Sequence, residues 1–509
     1  MQQERSTAAA PAATVPDFRL QPPPFDPGSE HAFQQMLGRL AADAPELYDI
    51  ASRRDLGPVA RRNLHRFLSA AFTTSERYAV VVRHPAALDR ALALFETSEF
   101  LTDVLVRHPE EIVTLETAAP GAEQGTELFP GAASSVPPDS DALLEYLVSA
   151  DLSQNEKMAA LRRHYRHRIF AAGARDILAH RPVFASLADA TAAAIAAIRA
   201  AFVIAEAPPA LAVLGLGRLG SAEFDLGSDA DLLFVCGDDA DHAAATRAAE
   251  RLTHVLSAYT REGAVFSVDA RLRPRGLEGE LVITPAHLAS YFAGSAQPWE
   301  ALSYTKLRPL VGAHDVAFQT IGAVLRSLPR FASDPTLPAS LRAMRLRLEH
   351  ARQSFGEIAS GEPPASDANF KLAAGGFYDI DFIASYLLVL AACDPERSSS
   401  SAAAESRDLA LFPRPHILDT LSSLAAHGRL SPDDHLTLAS SAELLRATEH
   451  VVRLVQGRAR ESLPTAAHAR ATTERLTAAV LRREFPDGLE AELRASATRV
   501  RAIFDRILL

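Results

Sequence analysis

From His31 to Thr117 apolar residues recur three and four positions apart, as in FQQMLGRLAADAPELYDIA, which is the period of an amphipathic helix. The same pattern returns over 142–206. It then shortens. LAVLGLG (211–217), DLLFVCG (231–237), VFSVDARLR (265–273) and LVIT (281–284) read as four strands, with a helix at 240–261 between the second and third. After Pro285 the helical pattern holds nearly to the end, with breaks at 328–337, 360–368 and 395–408. The chain therefore reads as α+β and mostly helical, with a small mixed sheet embedded between helical domains. Two Arg-His-Pro corners, in VVRHPAALDRAL and VLVRHPEEIVTL, place proline at a first helical turn, so His84 and His108 read as structural.

These patterns divide the chain into a disordered tail (1–28), an N-terminal helical domain (29–117), a Pro/Gly/Ser linker (118–140), a helical lead-in (141–206), the sheet domain (207–325) and a C-terminal helical domain (326–509). The N-terminus lacks a basic region followed by an apolar one, and no uninterrupted apolar run is long enough to span a bilayer. The expectation is a cytoplasmic protein with no membrane partner.

Composition narrows the function. The formal net charge of −11 argues against a nucleic-acid coat and for no nucleic-acid partner. Cys236 and Cys393 lie far apart without metal-ligand spacing, which fits a reducing compartment. Of the 52 basic residues only Lys157, Lys306 and Lys371 are lysines. The Arg/His face of RRHYRHRIFAAGARDILAH (162–180) reads as a solvated helix face, with phosphate contact as the less favoured alternative.

Gly215-Leu-Gly217-Arg-Leu-Gly220 spells a dinucleotide-binding glycine pattern. That chemistry needs a full helix before the next strand, and only eight residues separate Gly220 from Asp229. A different constellation explains the segment. Residues two apart in a strand point the same way, so Asp229 and Asp231 project together from the start of an apolar strand. Asp269 alternates onto the same face as Arg271 and Arg273, and joins the pair if the strands are neighbours. Three carboxylates at close range need cations, and Mg²⁺, with its preference for oxygen ligands and phosphates, fits. Two such ions can clamp the attacking and leaving oxygens of a phosphoryl or nucleotidyl transfer. Gly220-Ser221 offers a close backbone approach and a hydroxyl to phosphate, and Arg271 and Arg273 offer bidentate donors. A second D-x-D, Asp379-Ile-Asp381, leads into a helical run, where residues two apart do not share a face. It makes a poor metal pair and suits a helix N-terminus.

GLGRLGSAEFDLGSDADLLFV resembles the signature of the nucleotidyltransferase superfamily, in the form carried by the glutamine synthetase adenylyltransferase/deadenylylase family. VDARLRPRGLEGELV, WEALSYTKLRPLVG and NFKLAAGGFYDIDFIASYLL are similar to further segments of that family, in its order, and the resemblance covers roughly residues 90–460. It implies a polymerase-beta-like sheet. Asp229, Asp231 and Asp269 would bind Mg²⁺, with Gly220, Ser221 and Ser228 at the ATP phosphates and Lys306 and Arg308 near the nucleotide or partner. The implied reaction moves AMP from ATP to a tyrosine of glutamine synthetase, or removes it by phosphorolysis. A PII signalling protein is the implied regulator. Family members carry two catalytic units; this chain shows one Gly-Ser…D-x-D unit. A nucleotidyltransferase with another acceptor, and a non-catalytic regulator that kept the fold, are the alternatives.

Overall fold

A computed structural model describes residues 27–53, 56–116, 140–360, 369–392 and 416–508. But for edge residues, the expected tail, the linker at 118–140 and the breaks at 360–368 and 395–408 lie outside the described residues, as does Cys393. The chain folds as two compact units, Met1–Asp55 and Leu56–Leu509. In the first, α1 (Pro27–Asp43) and α2 (Pro45–Arg53) bury Phe33, Leu40 and Leu47.

The second unit begins with α3 (Pro58–Ala71), α4 (Ser75–Val82), α5 (Pro85–Thr97) and α6 (Glu99–Arg107). His84 and His108 sit at the two expected corners, as the N-cap of α5 and the C-cap of α6. Helices α7 (Ser140–Ser149), α8 (Gln154–Ala179) and α9 (Val183–Ile204) follow. A Ser153/Glu156 capping box starts α8. The Arg/His stretch on α8 is not the solvated face the sequence suggested. Arg162 is buried and donates to the carbonyls of Met158, Val255, Ala258 and Gly263, tying α8 to a neighbouring chain turn. Helix α9 is long and apolar enough by length and composition to cross a membrane, although Asp189 and Arg199 interrupt its apolar run; it is a core helix, with Ala194, Ile198 and Ala201 buried under the sheet.

The sheet comprises β1 (Leu211–Gly215), β2 (Ala230–Cys236), β3 (Val268–Asp269), β4 (Val282–Ile283) and β5 (Arg308–Gly312). A helical turn, α10 (Gly217–Gly220), follows β1, and α11 (His242–Ser257) follows β2. α12 (Pro285–Gly294) and α13 (Pro298–Tyr304) separate β4 from β5. β1 lies between β2 and β5, antiparallel to both, while β3 and β4 pair in parallel with successive stretches of β2. An antiparallel β1–β2 pair has no crossover helix, which removes the dinucleotide reading of the glycines. Alternate residues feed two cores: Ala212, Leu214, Leu233 and Val235 on one face, Leu211, Val213, Leu232 and Phe234 on the other.

Two strands differ from the sequence reading. β5 falls where helix was expected: Pro309 lacks the N–H a helix interior needs, and Gly312 ends the strand at φ +94°. The third strand shrinks to two residues. Beyond Asp269 the backbone N–H of Arg271 turns back to the Asp269 carboxylate, and the Arg273 guanidinium donates to Ala270, Leu277 and Gly279 carbonyls, closing a loop.

The remaining helices are α14 (His314–Ala332), α15 (Leu337–Ser360), α16 (Phe377–Ala391), α17 (Ile417–Ala426), α18 (Pro432–Gln456), α19 (Ala467–Leu481) and α20 (Leu489–Ile507). Buried residues of α14, α16, α17, α18 and α20 close one face of the sheet.

Candidate active site

The turn after β1 sets the site. Gly217 has φ +52°, and a Cβ there would lie 2.1 Å from Asp231 Oδ2, so only glycine leaves that carboxylate its place. At Gly220 a Cβ would lie 2.1 Å from the Lys306 carbonyl oxygen, and the Gly220 carbonyl accepts from Arg308 Nε at 2.7 Å. Both glycines thus serve close packing within the protein, and Arg308 anchors backbone.

β2 and β3 pair in register at Asp231↔Asp269, so the two carboxylates stand side by side, with Asp229 one strand period before. All three line a cavity of about 550 Å³. Burial, and then the neighbouring charges of Asp269 and Asp229, push Asp231 up to about 6 despite the opposing pull of Lys371 and Lys306. Burial also pushes Asp269 up, but hydrogen bonds from Arg271, at 2.5–3.0 Å, outweigh it and hold Asp269 below its usual range.

The structure brings Ser221, Ser228, Arg271 and Lys306 to the same cavity. Ser221 donates to the Gly217 carbonyl at 3.0 Å, and Ser228 Oγ accepts from Arg453 at 3.0 Å. Lys306 Nζ pairs with Asp381 at 2.5 Å. Gly220, Arg273 and Arg308 do not line it. The second D-x-D splits as a helix requires. Asp379, in the first turn of α16, accepts from the Gly375 N–H and pairs with fully buried Arg345. Asp381 faces the cavity, which the sequence reading did not assign to it. Trp299, Met344, Phe382 and Leu388 form an apolar stretch of the wall.

The largest omission from the sequence reading is a buried ionic network between the 217–228 segment and α18. Arg218 pairs with Glu449 at 2.6 Å, and Glu449 also takes Arg446 and Arg453. Arg446 reaches Glu223 at 2.5 Å, and Arg453 donates to the Leu226 carbonyl at 2.6 Å. His450 bridges Asp225 (2.7 Å) and Asp176 (3.2 Å). Burial opposes charge on His450, but the two carboxylates raise it to about 10. Burial likewise opposes charge on Asp225, and His450, Arg453 and Arg218 hold it at about 2. The signal was present: Arg446, Glu449, His450 and Arg453 stand at i, i+3, i+4 and i+7 in a helix otherwise rich in leucine and valine.

As a metal site the donor set is chemically apt: hard oxygen ligands, crowded enough to raise Asp231, a condition a divalent ion relieves. Among the described residues no three Asp, Glu, His or Cys side chains are gathered closely enough to hold an ion as they stand. Arg271 occupies Asp269 instead.

Sheet, glycine turn and acids together have the form of a nucleotidyltransferase unit, the class the motifs resemble. Residues 88–322 match the family model described as glutamate-ammonia ligase adenylyltransferase, and residues 342–508 match that of GlnD PII-uridylyltransferase. Similar proteins include bifunctional glutamine synthetase adenylyltransferase/adenylyl-removing enzymes. That of Streptomyces coelicolor is 28% identical over 82% of this chain and 40% of its own length. That of Nocardia farcinica is 30% identical over 71% and 35%, and that of Mycobacterium leprae 28% over 95% and 47%. Residues 88–322 thus carry a glutamate-ammonia ligase adenylyltransferase domain, and the flanking sequence is similar to the same enzymes. It spans less than half the length of these curated relatives.

Proposed function

We propose that this chain is a Mg²⁺-dependent nucleotidyltransferase that moves AMP between ATP and a tyrosine of glutamine synthetase, or removes it by phosphorolysis. The observation that carries the reading is the register of Asp231 with Asp269 at the wall of a cavity built from family-matched segments. Asp229, Asp231 and Asp269 would hold the metal, which supplies charge neutralisation at the phosphates when bound. The chain's own part is positioning. Gly217 leaves room for Asp231, Ser221 and Ser228 face the phosphates, and Lys306, steered by Asp381, adds positive charge at the cavity wall. Arg271, exposed and already at the acids, would take a phosphate oxygen. The nucleophile comes with the acceptor, so no Ser/His/Asp set is needed, and the chain's contribution is orientation and electrostatics.

The match of residues 342–508 to a family named for acting on PII supports a PII signalling protein as regulatory partner. A cytoplasmic setting belongs to the same reading. The test incubates the protein with glutamine synthetase and labelled ATP, and with adenylylated glutamine synthetase and phosphate. Label transfer or release that needs Mg²⁺ is the expected result; neither reaction occurring would exclude this substrate.

A further inference from the structure

Six cationic side chains reach the cavity: Arg218, Arg271, Lys306, Lys371, Arg446 and Arg453. Five have a close carboxylate. Arg218 has Glu449, Arg271 has Asp269, Lys306 has Asp381, Arg446 has Glu223 and Glu449, and Arg453 has Glu449. Lys371 differs. Its ammonium makes no hydrogen bond among the described residues; Glu461 is 3.9 Å away and the Tyr378 ring centroid 5.3 Å. Its backbone, by contrast, is fixed. Asn369 Oδ1 accepts from the N–H groups of Lys371 and Leu372, and the Lys371 carbonyl accepts from the Tyr378 N–H. A pinned residue therefore presents N–H donors that make no hydrogen bond among the described residues to a cavity that the acids also line. Burial disfavours this ammonium, Glu449 favours it, and Arg218, Arg446 and Arg453 oppose it, so a further anion would stabilise it. Glu449 cannot serve fully as that anion, because Arg218, Arg446 and Arg453 already engage it.

We propose that Lys371 is a phosphate-binding residue: its ammonium takes an oxygen of the phosphate group that occupies the cavity beside Asp231. This deepens the functional reading above and rests on it for the identity of the phosphate. It also assigns the segment before α16, outside the sheet domain, a direct part in substrate binding. A lysine acts here as a point charge that a small oxyanion can approach from several directions. Lys371 also sits within electrostatic reach of Asp231, where it opposes the rise caused by burial.

The chain's single tryptophan, Trp299, lines the same cavity and reports binding by its fluorescence. Pyrophosphate, orthophosphate and ATP are titrated separately, in EDTA and in Mg²⁺, into wild type, Lys371→Ala, Lys371→Arg and Glu461→Gln. Loss of a charged hydrogen bond predicts a Kd raised about tenfold or more in Lys371→Ala for at least one anion, with a smaller rise in Lys371→Arg. Glu461→Gln should bind as tightly as wild type or tighter, since it removes a competing charge. A larger loss for pyrophosphate and ATP assigns the contact to the nucleotide's phosphates; a larger loss for orthophosphate assigns it to the attacking phosphate of the removal reaction. Two results overturn the proposal: wild type that binds none of the three anions, or a folded Lys371→Ala, checked by circular dichroism, whose Kd values stay within about twofold of wild type. Lys371-dependent anion binding without any AMP transfer would instead refute the glutamine synthetase reading and leave this one standing.

Discussion

The chain contains two Asp-x-Asp sequences, and they do opposite things. Asp229 and Asp231 lie at the entry to a strand, where a two-residue step returns to the same side, and both reach the cavity. Asp379 and Asp381 lie in the first turn of a helix, where the same step rotates the side chain by more than half a circle. Asp379 points into protein and neutralises Arg345, and Asp381 points into the cavity and holds Lys306. One spacing therefore encodes a metal-type pair in one place and a structural acid plus a positioning acid in the other. The element decides which.

The sharpest way to break this contrast is to neutralise one acid in each pair. Asp231→Asn should lower AMP transfer by about 10³-fold or more if, as proposed, this carboxylate holds the metal that neutralises the phosphates. Its unfolding midpoint should not fall, since burial and like charge disfavour the ionised carboxylate. Asp379→Ala should do the reverse. It removes the closer of the two acids paired with buried Arg345, leaving Glu349 at 3.2 Å, and breaking a buried pair destabilises by about 3–5 kcal/mol. Urea unfolding monitored by circular dichroism measures it. Equal effects of the two variants on stability would dissolve the distinction.

A smaller effect tests the fourth acid. Asp381→Asn and Lys306→Arg should each lower kcat/KM by about tenfold, since a guanidinium fork does not reproduce a compact ammonium. Stability should move by less than about 1 kcal/mol. Unchanged kinetics in both would return Asp381 to a merely structural role.

The smallest effect at neutral pH concerns a third acid of the same segment. Asp225, six residues before Asp231, is held at about 2 while Asp231 is raised to about 6. The difference is its counterions, His450 above all. His450 is raised from 6.5 to about 10, so the stability it contributes is complete below pH 6.5 and is lost as pH rises through about 10. Thermal unfolding between pH 6 and 10.5 should show this decline. His450→Gln should be less stable at pH 7 and flatter across the window. A wild-type curve as flat as the variant's would show that His450 is not the charged link.

Much of the sheet was legible because β1, β2 and β4 are short apolar runs between turn residues, and because alternation placed Asp269 on a definite face. The pairing of Asp231 with Asp269 needed only the further condition that the strands be neighbours. β5 was hidden because RPLVG continues a segment with helical periodicity, and its strand character comes from pairing with β1, 93 to 100 residues earlier. Arg162 and the α18 charges were hidden for a different reason. A charged stripe on a helix is usually solvated, and only the distant carbonyls and carboxylates that meet it show otherwise. Asp381 was set aside because its D-x-D was judged as a pair, when its actual partner, Lys306, lies 75 residues upstream.

The span of the α18 network has a consequence for how the protein is made. Arg218 and Glu449 are 231 residues apart, and Ser228 and Arg453 are 225 apart. During synthesis the acid-bearing strand emerges long before the helix that neutralises its flanking segment. Until α18 leaves the ribosome, Glu223 and Asp225 have nowhere to bury their charge, and the 217–228 turn lacks the contacts that fix it. A nascent chain thus exposes the acids without the assembled cavity, and competence waits for α18 to dock.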